Sequence, residues 1–310
     1  MNDLTNKSVL IYGDGFVDYI ADDQNNNSFT KYLGGATVNV AAGIARLGAA
    51  SSFITISGDD ETSAFVRKEL MAEGVDLSFA LVVPEKRVSG VYVHLTENND
   101  RHFHTYVDET PDIQVEFDSL KQEAFQQASS FHFCSGTLFH PTACRTTREI
   151  VSQMKKRNVF LSFDANIRPL RWESEELCRE TICSFFKQVD ILKLTEEELS
   201  FLTKTESREE GIKRLQHYQI PIVLITVGEE GTYAVIDGET VHVTVEKVEP
   251  VDTTGAGDAF MAGILSKIYW TGVPKTKEEW IEYISFGNKL GAICATKPGA
   301  LSAMPRLADL

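Results

Sequence analysis

The chain has 310 residues, 43% hydrophobic and 24% charged, enough to bury the core of one large α/β domain or of a domain with a small appendage. Its formal charge of −15 opposes nucleic acid and anionic membrane as partners, since both are polyanions. The five cysteines are odd in number and show no C-x-x-C spacing, so they read as buried thiols of a reducing cytoplasm, not as a disulfide framework or a zinc site.

No segment is apolar enough to span a bilayer, and the first residues lack a leader pattern, so a soluble cytoplasmic protein is expected. In chain order, residues 8–12 form a short apolar run that reads as a strand and ends in Gly13-Asp14-Gly15. The polar run 22–27 reads as a hairpin tip. Residues 36–47 place Val40, Ile44 and Leu47 at helical spacing; 52–56 read as a strand and 61–72 as a helix closed by Gly74. The stretch 88–106 alternates like paired strands around the polar turn Glu97-Asn98-Asn99-Asp100.

From about Ser129 the alternation becomes regular. Strands are expected at 131–134, 160–163, 191–194 and 222–226, with helices at 142–156, 175–186, 196–202 and 208–218 between and after them. Strands at 233–236 and 241–243 flank Asp237-Gly238, and helices at 255–269 and 277–296 follow. Short buried strands separated by helices imply a mostly parallel sheet covered on both faces. Ligands of such sheets sit beyond the carboxyl ends of the strands. Segments 13–33 and 88–106 fall outside the alternation and are expected to form a small β-sheet lid over that edge, inserted in a single domain spanning 1–310.

The chemistry concentrates in Asp252-Thr253-Thr254-Gly255-Ala256-Gly257-Asp258-Ala259-Phe260, where small residues lead into an apolar helix. A glycine-rich turn at a helix N-terminus exposes unpaired N–H groups and the positive end of the dipole, which suits a phosphoryl group gaining charge. An aspartate there repels that anion, but beside a transferring phosphate it can accept the proton of an attacking hydroxyl. Taken alone, Asp258 would read as a helix cap.

The whole segment resembles the C-terminal signature of the ribokinase-like (PfkB) family of sugar kinases, nearly position for position. The resemblance implies a three-layer α/β/α sandwich, magnesium ATP as phosphoryl donor, and Asp258 as general base over an anion hole of the Gly255, Ala256 and Gly257 amides. It further implies that Asp252 and Thr254 hold a monovalent cation, usually potassium, through oxygen. Gly34-Gly35-Ala36-Thr37-Val38-Asn39 looks like the family's N-terminal signature. Its paired glycines permit close backbone approach to a ligand, and Asn39 can donate to and accept from sugar hydroxyls. Asp14 and Asp18 match positions where family members set carboxylates against the sugar. Thr226, Gly228 and Gly231 match the nucleotide segment; Lys193 is assigned to the nucleotide too, and Asn288 to the border of the adenine. Glu198 fits the glutamate that positions magnesium through water, although Thr195 replaces the usual asparagine; a helix-start acid stabilised by the dipole is the competing role.

Three middle segments look like fructokinases: 131–138, 163–172 and 192–198. The second, with Asn166 and Arg168 at a strand end, also resembles 2-keto-3-deoxygluconate kinases, and Arg168 suits phosphate or sugar. One departure stands out. Fructokinases commonly carry an arginine in the stretch matching Tyr106-Val107-Asp108-Glu109-Thr110, and here there is none; Arg101 lies further back. The expected activity is transfer of the ATP γ-phosphate to a hydroxymethyl group, with fructose favoured and 2-keto-3-deoxygluconate the alternative. A non-catalytic sugar or nucleotide sensor is the reading from a different class; the kept base and glycines argue against it. Exposed lid edges invite pairing between subunits, which makes a homodimer the assembly this layout admits.

Overall fold

A computed structural model describes residues 4–96 and 101–310; the polar turn at 97–100 and the Arg101 side chain lie outside what is described. Strands are β1 (Ser8–Tyr12), β2 (Phe16–Ala21), β3 (Phe29–Gly34), β4 (Ser51–Ile54), β5 (Ile56–Ser57), β6 (Leu81–Val82), β7 (Ser89–Leu95) and β8 (Arg101–Val107) in the first third. They continue as β9 (Ala128–Cys134), β10 (Phe160–Asp164), β11 (Ile191–Thr195), β12 (Ile222–Thr226), β13 (Thr232–Ile236) and β14 (Glu239–Val243). Helices are α1 (Ala36–Arg46), α2 (Glu61–Ala72), α3 (Gln122–Gln127), α4 (Pro141–Lys156), α5 (Glu175–Cys183), α6 (Glu196–Thr203), α7 (Arg208–Leu215), α8 (Ala256–Thr271) and α9 (Lys277–Ala295).

The main sheet runs β14-β13-β12-β11-β10-β9-β1-β4, parallel from β12 to β4 and antiparallel at β13 and β14. Strand alternation divides its side chains between two cores. Val9 and Ile11 face α1, α2, α8 and α9; Leu10, Tyr12, Phe131, Phe133 and Phe163 face α3 to α7. Apolar burial on both faces explains why the parallel strands read as continuous apolar runs. Helices α1 and α8 pack closely, where a Cβ on Gly43 would stand 2.7 Å from that of Ala262.

A second sheet, β3-β2-β7-β8, stands apart from the first. β2 and β3 pair as the expected hairpin, and β7 and β8 pair antiparallel, while β2 and β7 pair in parallel. β2 begins four residues beyond the end of β1, so this sheet rises from the carboxyl edge of the main one.

Three expectations are corrected. The strand at 52–56 breaks at Thr55, whose hydroxyl accepts from Gly15 N–H, and its second piece pairs with β6. The helix at 175–186 stops at Cys183 and the one at 208–218 stops at Leu215; each is followed by a 3-10 turn. Helix α3 carries too short a pattern to be read from sequence.

Candidate active site

The carboxyl ends of β1, β10, β11 and β12 meet the N-termini of α1 and α8, and most of the predicted site residues gather there. Helix α8 begins after Gly255, whose φ of 81° lies in the left-handed region that favours glycine. A side chain there would also strike Ala300, at 2.8 Å. The turn commits the Ala256 N–H to Thr253 O at 3.1 Å. The N–H groups of Gly255, Gly257 and Asp258 have no backbone acceptor among the described residues. The open donors are therefore Gly255 and Gly257, joined by Asp258's own amide, instead of the three expected.

Asp258 is buried on the first turn of α8 and accepts from Asn39 Nδ2 at 2.8 Å. Burial pushes its carboxyl up to about 7; the Asn39 bond and the charges of Lys193 and Arg168 pull the other way, while Asp164 adds to the rise. The opposite face of the Asn39 amide matters equally. Its Oδ1 is buried with no hydrogen-bond partner among the described residues.

Beneath the turn lies a charged pair that the sequence did not reveal. Lys193 of β11 bonds both carboxylate oxygens of Asp164 on β10, at 3.1 and 3.0 Å, and both side chains are almost fully buried. A Cβ on Gly257 would stand 2.9 Å from Lys193 Nζ, so the ammonium packs directly under the glycine turn. Burial pushes Lys193 down, and the charges of Asp164 and Glu198 more than reverse that, leaving it above its ordinary value. Lys193 thus sits under the glycine turn, with Asp164 as its counter-ion.

Glu198 closes a capping box: Thr195 Oγ1 accepts from Glu198 N–H, and Glu198 Oε2 accepts from Thr195 N–H at 2.8 Å. Its Oε1 accepts from Ile167 N–H at 2.6 Å, tying α6 to the segment after β10. Burial raises its carboxyl, with Lys193 opposing. Each oxygen thus accepts one backbone donor and keeps acceptor capacity. In the same segment Asn166 adopts φ 36°, which asparagine tolerates, and Arg168 is exposed with its charge reaching Asp258.

The residues expected to meet the sugar lie where β1 and β2 meet α1. Gly35 caps α1 at φ 106°, a conformation suited to glycine. A Cβ on Gly34 would collide with the Asp18 carboxylate at 2.4 Å, so Asp18 lies against that backbone. Asp14 is half-buried; burial of its carboxyl raises it, and the charges of Lys86 and Arg171 partly offset the rise.

Residues assigned to the nucleotide divide in two. Gly228 is exposed, at φ 46°, with open space where a side chain would go, and Thr226 Oγ1 donates weakly to Leu194 O. Gly231 instead serves its turn, since a Cβ would meet Val243 O at 2.3 Å. Asn288 accepts from Thr232 Oγ1 and donates to Val243 O, which fastens α9 to the last two strands. Asp252 accepts from Thr254 N–H and from Gly299 N–H, both at 2.9 Å, and so ties the glycine turn to the 299–300 loop.

A family model of pfkB family carbohydrate kinases matches residues 6–307. The chain belongs to that family. Among its curated pfkB relatives, the fructokinase of Vibrio alginolyticus is 33% identical over 302 residues, covering 97% of each chain. The fructokinase of Escherichia coli is 32% identical, covering 96% of each. Among solved structures, a fructokinase from Vibrio cholerae O395 in a fructose-, ADP- and calcium-bound form matches at TM-score 0.84 and 30% identity over 98% of each chain. The aminoimidazole riboside kinase of Salmonella enterica matches at TM-score 0.84 and 26% identity over 97% of each. The fold is thus the ribokinase-like three-layer sandwich. No helix among the described residues is long and apolar enough to cross a membrane.

Proposed function

We propose that this pfkB kinase is an ATP-dependent fructokinase in which Asp258 is the general base. One observation carries the reading: a buried carboxylate raised to about 7 stands on a helix turn with open N–H groups, hydrogen-bonded to an asparagine whose other end is unpartnered. The hydroxymethyl group of the sugar donates to Asp258, which takes its proton as the oxygen attacks the γ-phosphorus, the bond to the β,γ-bridging oxygen breaks and ADP leaves. Asn39 Oδ1 accepts from a neighbouring hydroxyl and so orients the acceptor. Charge developing on the transferring phosphoryl oxygens is met by the Gly255, Gly257 and Asp258 amides, by Arg168 from solvent and by Lys193 from below. Asp164 holds Lys193 in that place.

Thr226 and Gly228 line the nucleotide side, with Gly231 and Asn288 supporting it from behind. Glu198, through the acceptor capacity left on its carboxylate, would hold the water shell of a magnesium ion that would offset the charge of the triphosphate. Asp252 and Thr254 supply oxygen donors, which suit a potassium ion beside the turn. The β3-β2-β7-β8 sheet acts as a lid that excludes water as a competing acceptor.

Five free thiols support a reducing cytoplasmic setting. Open edges at β3 and β8, with Tyr32 49% exposed beside them, support a lid-to-lid homodimer, which light scattering at micromolar concentration would detect as twice the 34.5 kDa chain mass.

The test of the function is ADP release from magnesium ATP over a panel of fructose, ribose, tagatose, 2-keto-3-deoxygluconate and nucleosides, with and without potassium. Turnover strongest with fructose is expected. Turnover confined to 2-keto-3-deoxygluconate would move the substrate while keeping the mechanism, and sugar binding without any turnover would favour a sensor.

A further inference from the structure

The stretch 106–110 has no arginine of its own, yet a guanidinium reaches it from elsewhere. Arg171 ends the 3-10 turn Pro169–Arg171 that follows β10, more than sixty residues away in sequence. Its Cζ lies 4.3 Å from the Phe139 ring centroid and 5.1 Å from that of Tyr106, so two aromatic faces hold the cation in place. Phe16 of β2 packs on Tyr106 in turn, at 6.3 Å between centroids.

This cation is poorly satisfied. The Arg171 side chain is only 19% exposed, and among the described residues its guanidinium makes no hydrogen bond. Its ionic partner there is Asp108, at 3.9 Å, beyond hydrogen-bond reach. Asp108 Oδ1 is itself buried without a partner. Among the described residues the five guanidinium donors and the Asp108 Oδ1 acceptor thus have no hydrogen-bond partner in a largely enclosed place, an arrangement that carries a cost unless a ligand completes it. Phe16, which Tyr106 contacts, follows Asp14 by two residues, and the charge of Arg171 acts on the Asp14 carboxyl, as that of Lys86 does. Lys86, by contrast, is spent on the fold: it is buried and donates to Thr110 O at 3.1 Å.

We propose that Arg171 is a sugar-recognition residue of this kinase, donating to acceptor hydroxyls while Asp108 and Asp14 accept from them. The aromatic pair fixes the guanidinium plane, so little rotamer entropy is lost on binding. The position on a turn of β10's own loop couples sugar recognition to the segment that also carries Asn166 and Arg168.

The inference rests on the Asp14 cleft being the sugar site, and its test separates the two. Arg171→Leu keeps the apolar cover between Phe139 and Tyr106 but removes every donor. The KM for the best sugar of the panel should rise about tenfold or more, the loss expected for a charged hydrogen bond, with the KM for ATP and the melting temperature held. Arg171→Lys should recover part of the loss. An unchanged sugar KM in Arg171→Leu overturns the proposal, as does a parallel loss in both KM values with a lowered melting temperature, which marks a structural role. If the best sugar is not fructose, the fructokinase reading fails while Arg171 is still tested on the sugar that is. Silence across the panel overturns both.

Discussion

A carboxylate at 8% exposure with one side-chain donor is under-solvated, and the cost falls on stability. Asp258 rises from an ordinary 3.8 to about 7, so between those values the native state holds a proton the unfolded chain has released. Stability therefore declines as pH rises through that window, and the charged form at pH 8 costs a few kcal/mol. Two outcomes follow. Asp258→Asn should raise the melting temperature by several degrees at pH 8, with the gain fading toward pH 4, as scanning calorimetry would show. In the wild type, kcat/KM for the sugar should climb with pH through about 7 as the base loses its proton. At this scale the sequence was informative about identity but not environment. Asp258 and Asn39 were readable as separate motif residues 219 positions apart; the 2.8 Å bond between them, and the raised carboxyl, depend on the contact of two helices. Arg171 was passed over because nothing local distinguishes it from a surface arginine.

In the proposed mechanism the chemistry rests on the start of α8 together with the ends of β10 and β11. Its glycines have separate tasks: Gly255 supplies the left-handed turn, and Gly257 leaves room for the Lys193 ammonium. Gly257→Ala should displace that ammonium from Asp164 and lower turnover, with assay at saturating ATP as the measure. Lys193→Met should destabilise the protein by about 3–5 kcal/mol in urea unfolding, because it leaves Asp164 charged and buried without its partner. Adding Asp164→Leu should restore most of that stability without restoring activity, since the apolar pair replaces packing but not charge. Elements themselves were largely legible. The capping boxes Thr195–Glu198 and Thr276–Glu279 mark their helix starts in sequence. The break at Thr55 and the early ends of α5 and α7 were not legible, because tertiary hydrogen bonds and 3-10 turns decide them.

Across the whole molecule, two sheets of different character divide the work. The main sheet is apolar on both faces and fixes the strand ends; the smaller one carries Asp18, Phe16 and Tyr106 beside the site. Its strands were readable as pairs, but the parallel pairing of β2 with β7 joins segments some seventy residues apart and carries no local signal. If the sheet closes on sugar, fructose should slow amide exchange in β2 and β7 more than in β9 or β10, read by hydrogen–deuterium exchange. The acidic chain makes its positive field locally, from backbone amides, Lys193, Arg168 and Arg171, and not from overall charge. That economy places the burden on a single base. The most direct check is fructose-dependent ADP release by wild type and Asp258→Asn side by side, with fructose binding followed in parallel by calorimetry. The account predicts turnover by the wild type and a loss of roughly a hundredfold or more in the variant, with binding retained. Near-wild-type turnover in the variant would contradict it.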